Sequence, residues 1–217
     1  MMWTLFGSSG SGSAAVEMAL LRCGLAFREV RAATWEADSA LAELLAANPM
    51  QQIPTLVDAD GMVLTESAAI LMHLGLTHPA SRLLPSSSRE RAQAMRGLVF
   101  VAANCYAAIG VIDYPERWCP DAGALTMNRL RKGASARLHA CWDVFADQFL
   151  PAMAHGAAGH GGPVGALDIL AAVVSRWSGT RGHLAHSRPA LLTALQAVEA
   201  QPELQPVFHR HWPPAPT

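Results

Sequence analysis

The stretch Asn48–Ser67, NPMQQIPTLVDADGMVLTES, limits the possible folds of this chain more than any other segment. Pro54 has no N–H and stands just before a short apolar run, Thr55–Val57, a place that tolerates proline only at a strand start, an edge or a cis bend. Asp60-Gly61 follows, and then a second run, Met62–Thr65. Asp-Gly between apolar runs is a strong hairpin signal, because both central turn positions favour positive φ. Glu66-Ser67 then opens a helix carrying Ala68, Leu71, Met72 and Leu74. The pattern predicts an antiparallel hairpin with a polar site at each end, entered through a bend that presents backbone to a ligand.

Upstream, Trp3–Phe6 is a strand candidate broken by the small-residue run Gly7–Ser13, after which Val16, Ala19, Leu20 and Cys23 recur at helical spacing until Gly24. Phe27–Val30 predicts a second strand, and Asp38-Ser39 is placed to cap a helix bearing Leu41, Leu44 and Leu45. The order is therefore β-α-β-α-β-β-α, which fits one sheet with two parallel strands, an antiparallel hairpin and helices packed on it. Pro79–Ser88, rich in Pro and Ser, is the linker candidate. Beyond it Ser87 and Glu90 form a capping box, and Met95, Leu98, Val99, Ala102, Tyr106 and Ile109 trace a long helix. Asp121–Phe149 predicts a second long helix, Leu167–Trp177 a buried one, Pro189–Glu199 a short amphipathic one, and the PPAPT end a frayed tail. The fold class is α/β plus all-α, with residues 1–79 as the mixed domain and 86–217 as the helical one.

Charge and apolar runs exclude several roles. A formal net charge of −1 leaves no basic excess to neutralise phosphates, so nucleic acid is not an expected partner. The apolar stretches Gly97–Ile112, with Asn104, and Val164–Val174, with Asp168, fall short of a bilayer span, so no membrane is expected. No basic leader precedes Trp3, and a cytoplasmic protein is predicted. Cys23, Cys105, Cys119 and Cys141 form no CxxC pair and are expected as free thiols. His209 and His211 make an HxH, and His155 and His160 flank a Gly-rich loop, but no Cys or carboxylate in sequence completes a ligand set and no metal is predicted.

The order of elements resembles the cytosolic (bacterial-type) glutathione S-transferases, which join a thioredoxin-like domain to an all-helical one. Asn48-Pro49-Met50-Gln51-Gln52-Ile53-Pro54-Thr55-Leu56 is similar to the family's NPxGxVPxL segment, Glu66-Ser67-Ala68-Ala69-Ile70 to its acidic-Ser-x-Ala-Ile segment, and Gly165-Ala166-Leu167-Asp168-Ile169 to a buried capping box late in the helical domain. Gln51 replaces the usual Gly, and Gly165 stands where a capping Ser or Thr is usual. The resemblance implies glutathione as co-substrate. Ile53 would offer its backbone N–H and C=O to the cysteine of glutathione, as an added strand would, with Pro54 in the cis form. Glu66 and Ser67 would hold the γ-glutamyl end, Gln52 would touch the peptide, and Trp35 would reach the glycine end. A structural bend and an ordinary helix cap are the alternatives for Pro54 and for Glu66-Ser67.

Conjugation requires a thiolate, and a free thiol ionises with a pKa of about 8.5, so lowering it by roughly two units takes about 2.7 kcal/mol of preferential stabilisation. Tyrosine-type members carry the donor at the end of the first strand, where this chain has Phe6, and cysteine-type members place a Cys at a position aligned with Gly12. Ser11 and Ser9 are therefore the candidate catalytic hydroxyls, Ser11 being nearer the helix N-terminus, with the backbone N–H groups of Ser11–Ser13 as helpers or substitutes. A turn whose hydroxyls only cap the helix is the competing explanation. Tyr106, Tyr114 and Trp118 are candidates to line the second-substrate pocket. The resemblance implies a transferase acting on small hydrophobic electrophiles, in detoxification, as a homodimer. A glutathione-dependent disulfide reductase or peroxidase, and a non-catalytic binding or assembly module, are the alternatives.

Overall fold

The computed structural model describes residues 2–154 and 162–213. His155, His160 and residues 214–217 of the PPAPT end lie outside the described residues.

Strand β1 (Trp3–Gly7) is the centre of the sheet. β2 (Phe27–Arg31) pairs with it in parallel, Trp3 opposite Phe27 through Gly7 opposite Arg31, the two being joined through α1 (Ser13–Arg22). β3 (Thr55–Val57) pairs antiparallel on the other side, with Phe6 opposite Thr55, and β4 (Val63–Leu64) closes the hairpin, giving the order β2-β1-β3-β4. Successive strand residues face opposite sides of a sheet. Leu5 and Leu56 accordingly join α1 and α3 (Ser67–Thr77) in the main core, while Phe6 and Val30 meet Leu44 of α2 (Leu41–Ala47) on the other face.

Two local readings are corrected. Ser39 does not cap α2: its hydroxyl donates to Ala33 O at 2.9 Å and accepts from Ala33 N–H at 3.3 Å, folding the preceding loop back on itself, and α2 starts without a side-chain cap. The hairpin loop is wider than a two-residue turn, because Asp58 Oδ1 accepts from the N–H groups of both Asp60 (2.9 Å) and Met62 (2.8 Å). Gly61, at φ +90°, takes the one position there that an L side chain would resist.

Beyond the linker, Ser87 Oγ accepts from Glu90 N–H at 3.5 Å and starts α4 (Ser88–Phe100). A π-helical segment, Val101–Tyr106, and α5 (Ala107–Asp113) continue it without a break. The resulting 26-residue rod is long and apolar enough by composition to cross a membrane, which the shorter run Gly97–Ile112 is not. Here it packs on α6 (Ala124–Phe149) and α7 (Ala166–Val174). α6 starts three residues after the predicted Asp121, and α7 ends before Trp177. α8 (Thr180–Ser187), α9 (Pro189–Glu199) and α10 (Gln205–His211) complete the described chain.

Every residue of α7 is buried, and the helix touches α1, α3, α4 and α9. One continuous core therefore joins the sheet half to the helical half. Asp168, in the first turn of α7, accepts from Gly165 N–H at 2.7 Å and from Ala154 N–H at 2.9 Å, so this buried carboxylate is spent on holding backbone.

Candidate functional site

The bend before β3 is built by Asn48. Its Nδ2 donates to Gln52 O at 3.1 Å and to Thr55 Oγ1 at 3.0 Å, and its Oδ1 accepts from Met50 N–H at 3.0 Å. Thr55 in turn donates to Gln52 O at 2.7 Å. Asn48 and Thr55 are buried, which holds the segment between them in one shape. Ile53–Pro54 is cis, and Ile53 precedes the ladder. Neither its N–H nor its C=O is taken by a hydrogen bond among the described residues. Gln51 sits at φ +53°, in the left-handed region, which explains why a glycine is usual at that place in the resembling segment.

Glu66 leads into α3 at φ +61° with its side chain exposed, while Ser67, the first helical residue, is buried. No side chain caps this N-terminus, so its first-turn N–H groups and the helix dipole are open to a negatively charged group. Gln52 is exposed beside the bend, and Trp35 lies exposed on the loop between β2 and α2.

The loop after β1 is closed by its own serines. Ser11 donates to Ser8 O at 2.7 Å and lies 2.9 Å from Ser13 Oγ, which accepts from Ser8 N–H at 3.3 Å. The amide of Ser11 goes to Ser8 O and that of Ser13 to Ser11 Oγ, both at 3.2 Å. Ser9 turns the other way, donating to His211 O (3.3 Å) and Arg210 O (3.4 Å). Both candidate hydroxyls are thus engaged in holding the loop.

Three residues that the sequence did not mark as functional secure that loop from the far end of the chain. Gly10 N–H donates to His211 Nδ1 at 3.2 Å, and Trp177 Nε1–H donates to Gly10 O at 3.2 Å. His211 Nε2 faces Glu17 Oε2 at 2.9 Å, and Arg210 also pairs with Glu17. Glu17 and His211 are buried. Burial pushes the His211 imidazolium down, with Arg210 acting in the same direction and the Glu29 carboxylate against it. A carboxylate inside the apolar run Val16–Met18 was the one available signal. The fold brings Glu17 and Glu29 to His211 of the HxH, their possible ligand atoms all within 4.8 Å of one another, which the linear sequence does not suggest. Both ring nitrogens of His211 are already engaged, however, so the group works as an ion-pair network.

Tyr106, at the end of the π-helical segment, reaches this loop from the helical half. A Cβ built on Gly12 would run into Tyr106 Oη, and Pro54 Cδ would lie 3.5 Å from that Cβ. The ring of Tyr106 lies 5.5 Å from that of Trp177, tilted by 54°. Tyr114 instead carries Arg117 over its ring at 3.9 Å at the end of α5. Trp118 lines a separate groove of about 620 Å³ between the π-segment with α5 and α6, which also includes Arg129 and Arg137. The structure therefore gathers Pro54, Gly12, Tyr106 and the serine loop in one place, and puts Trp118 elsewhere.

Comparison with known proteins matches this geometry. Residues 1–75 fit the family described as Glutathione S-transferase, N-terminal domain. The chain is 34% identical over 122 residues to the Uncharacterized GST-like protein YncG of Escherichia coli (strain K12), covering 56% of this chain and 59% of that protein. It is 35% identical over 104 residues to the Probable maleylacetoacetate isomerase of Caenorhabditis elegans, covering 48% and 47%. The match thus spans about half the length of these two relatives. Glutathione S-transferase Z1 of Arabidopsis thaliana is 30% identical over 159 residues, covering 65% of this chain and 71% of that protein. The fold superposes on a crystal structure of a glutathione transferase homolog from Sulfitobacter with bound glutathione at a TM-score of 0.79, with 24% identity over 95% of this chain and 96% of that one.

Proposed function

The chain belongs to the glutathione S-transferase family, with a thioredoxin-like N-terminal domain and a helical C-terminal region, and from that premise we propose that it binds glutathione and conjugates its thiolate to small apolar electrophiles. The observation that carries the proposal is the edge just before β3 at which the Ile53 N–H and C=O are unused, on the same hairpin that leads into the uncapped N-terminus of α3. The cysteine of glutathione adds to the sheet edge at Ile53 through two backbone hydrogen bonds. Its γ-glutamyl carboxylate sits against the Ser67 hydroxyl and the first amides of α3, and its ammonium against Glu66. Gln52 meets the peptide and Trp35 the glycine end. The sulfur then points past Pro54 to the loop that holds Ser9, Ser11 and Gly12, with Tyr106 above it.

Residues 1–79 form the glutathione-binding domain and 86–217 the domain that shapes the second site, where Tyr106 and Tyr114 contribute. The thiols Cys23, Cys105, Cys119 and Cys141 are free, in keeping with a reducing, cytoplasmic setting. We assign a homodimer through Met62 and Val63 of the hairpin and Leu76 of α3, which are exposed apolar side chains.

Glutathione-dependent isomerisation is a second reading, favoured by the relative named Probable maleylacetoacetate isomerase. It needs the same thiolate but returns glutathione at the end of the cycle. Calorimetry with glutathione, followed by turnover of an aryl halide, tests the proposal: binding with stoichiometric loss of glutathione and release of halide is expected. Binding and turnover of an unsaturated diacid with glutathione recovered would favour isomerisation. Absence of binding would end both, and elution at monomer size would end the dimer assignment.

A further inference from the structure

We propose that Tyr106, from the helical half, is the hydroxyl donor to the glutathione sulfur, taking the place that the loop after β1 leaves without one. The inference rests on the glutathione-binding function proposed above.

Each alternative side-chain donor near the sulfur is missing or occupied, while the Gly12 amide makes no hydrogen bond among the described residues. Phe6 has no hydroxyl and Gly12 no side chain. Ser11 gives its hydrogen to Ser8 O at 2.7 Å, and Ser9 gives its own to the carbonyls of α10. The amides of Ser11 and Ser13 close the loop on itself, and that of Gly10 goes to His211. Turning Ser11 toward a ligand would break its bond to Ser8 O, and turning Ser9 would break its bonds to the carbonyls of α10.

Tyr106 presents the opposite case. Its Oη is buried and makes no hydrogen bond of good geometry among the described residues, although the Ser67 hydroxyl lies close enough to influence it. A buried hydroxyl without a partner is costly, and such a group in a cleft points to a ligand that completes it. The position fits the chemistry. Oη fills the space where a side chain on Gly12 would project, with Pro54 on the other side, so a donor from across the cleft stands in for a side chain of the loop. Trp177 holds the ring from one side while donating to Gly10 O, which fixes Tyr106 and the loop relative to each other. Tyr106 is also the last residue of the six-residue π-helical segment, an irregularity that often marks functional positions in helices.

The proton balance is simple. Burial pushes the phenol well above its ordinary range, the Ser67 hydroxyl works against that and the Glu66 carboxylate adds to it, so Tyr106 keeps its proton and donates a hydrogen bond. The thiol of bound glutathione releases its proton to solvent, and the resulting thiolate accepts from Oη.

The test uses the whole protein with Tyr106→Phe and Gly12→Ala. Thiolate absorbance of bound glutathione is titrated against pH, and calorimetry gives the affinities for glutathione and for S-methylglutathione, which has no thiol to ionise. One hydrogen bond to a charged acceptor corresponds to a rise of about one to two pH units in the bound thiol's pKa for Tyr106→Phe, with S-methylglutathione binding retained. Gly12→Ala, whose backbone lies in the ordinary helical region at φ −64°, pushes Oη aside and gives a rise in the same direction with the hydroxyl still in the chain. An unchanged thiol pKa in Tyr106→Phe, or an equal loss of affinity for both ligands, overturns the assignment and leaves the binding function standing. A rise with Ser11→Ala alone moves the role to Ser11. Failure of the unaltered protein to bind glutathione removes the binding function and this inference together.

Discussion

Replacing His211 by Phe tests whether the far end of the chain holds the loop after β1. Phe keeps most of the ring's packing beside Trp212, whose ring centroid is 5.5 Å away, and removes only the two nitrogens. Gly10 N–H then loses its acceptor, and the buried Glu17 loses one of its two partners, keeping Arg210. A neutral hydrogen bond contributes about 1 kcal/mol and one to a charged group about 1.5–3, so the loss is about 2.5–4 kcal/mol. For a chain of this size that lowers Tm by roughly 5–16 °C. Urea unfolding followed by tryptophan fluorescence measures it. The pH dependence gives a second, independent reading. His211 binds its proton less readily when folded than when unfolded, because burial opposes the charge and Arg210 repels it, against the attraction of Glu29. Accepting from Gly10 also requires a bare Nδ1. Stability is therefore fully present above the unfolded value of about pH 6.5 and falls as the pH drops below it, by at most about 1.4 kcal/mol per unit, until the folded imidazole protonates. His211→Phe should remove that part of the acid sensitivity. A loss under about 0.5 kcal/mol, the range of an ordinary surface substitution, would show that the loop is held by other means.

Gln51→Gly relieves a left-handed side chain at the bend and should raise stability by roughly 0.5–1 kcal/mol, the steric gain exceeding glycine's added chain entropy; a lower urea midpoint would contradict this. Asp168→Ala leaves two backbone N–H groups without their buried acceptor and should cost roughly 3–5 kcal/mol, seen as a fall in Tm or as insoluble protein, and a near-neutral result would show that the α7 start does not depend on it. Glu66→Gln keeps shape but removes the charge proposed to meet the γ-glutamyl ammonium. About 1–2 kcal/mol of lost interaction weakens glutathione roughly five- to thirtyfold by calorimetry, and equal affinity would place the ammonium elsewhere.

The parts of the fold legible in the sequence were those encoded locally. Pro54 before Thr55–Val57 marks the bend, and Ser87 with Glu90 the start of α4. The hairpin was legible but its loop was not, since Asp58 reaching two amides is a side-chain event that no spacing rule marks. Ser39 shows the same failure reversed: a residue type suited to capping satisfied a loop backbone first. Glutathione-contact candidates at Ile53, Pro54, Glu66 and Ser67 cluster within one short segment, which is why they could be named. Trp177, Arg210 and His211 lie more than 160 positions from the loop they secure, and only the folded core brings them there. Tyr106 is legible in the sequence as a pocket aromatic. Its relation to Gly12 depends on the π-segment and on the docking of the two halves.

That docking links the two sides of the site physically. α7 packs against α1 and α3 on one side and α9 on the other, so the sheet that carries Ile53 and the helix that carries Ser67 share a core with the helical half. Trp177, just beyond α7, then touches both Gly10 of the loop and the ring of Tyr106. A shift of the helical half large enough to break the Trp177–Gly10 bond would therefore also move Tyr106 away from Gly12. Hydrogen exchange at the amides of Gly10 and Ser11 should track opening of the helical half and not fraying of the hairpin. The proposed peptide-binding edge at Ile53, just before β3, can persist through such a motion, whereas the proposed place for the sulfur, between Gly12 and Tyr106, needs both halves packed.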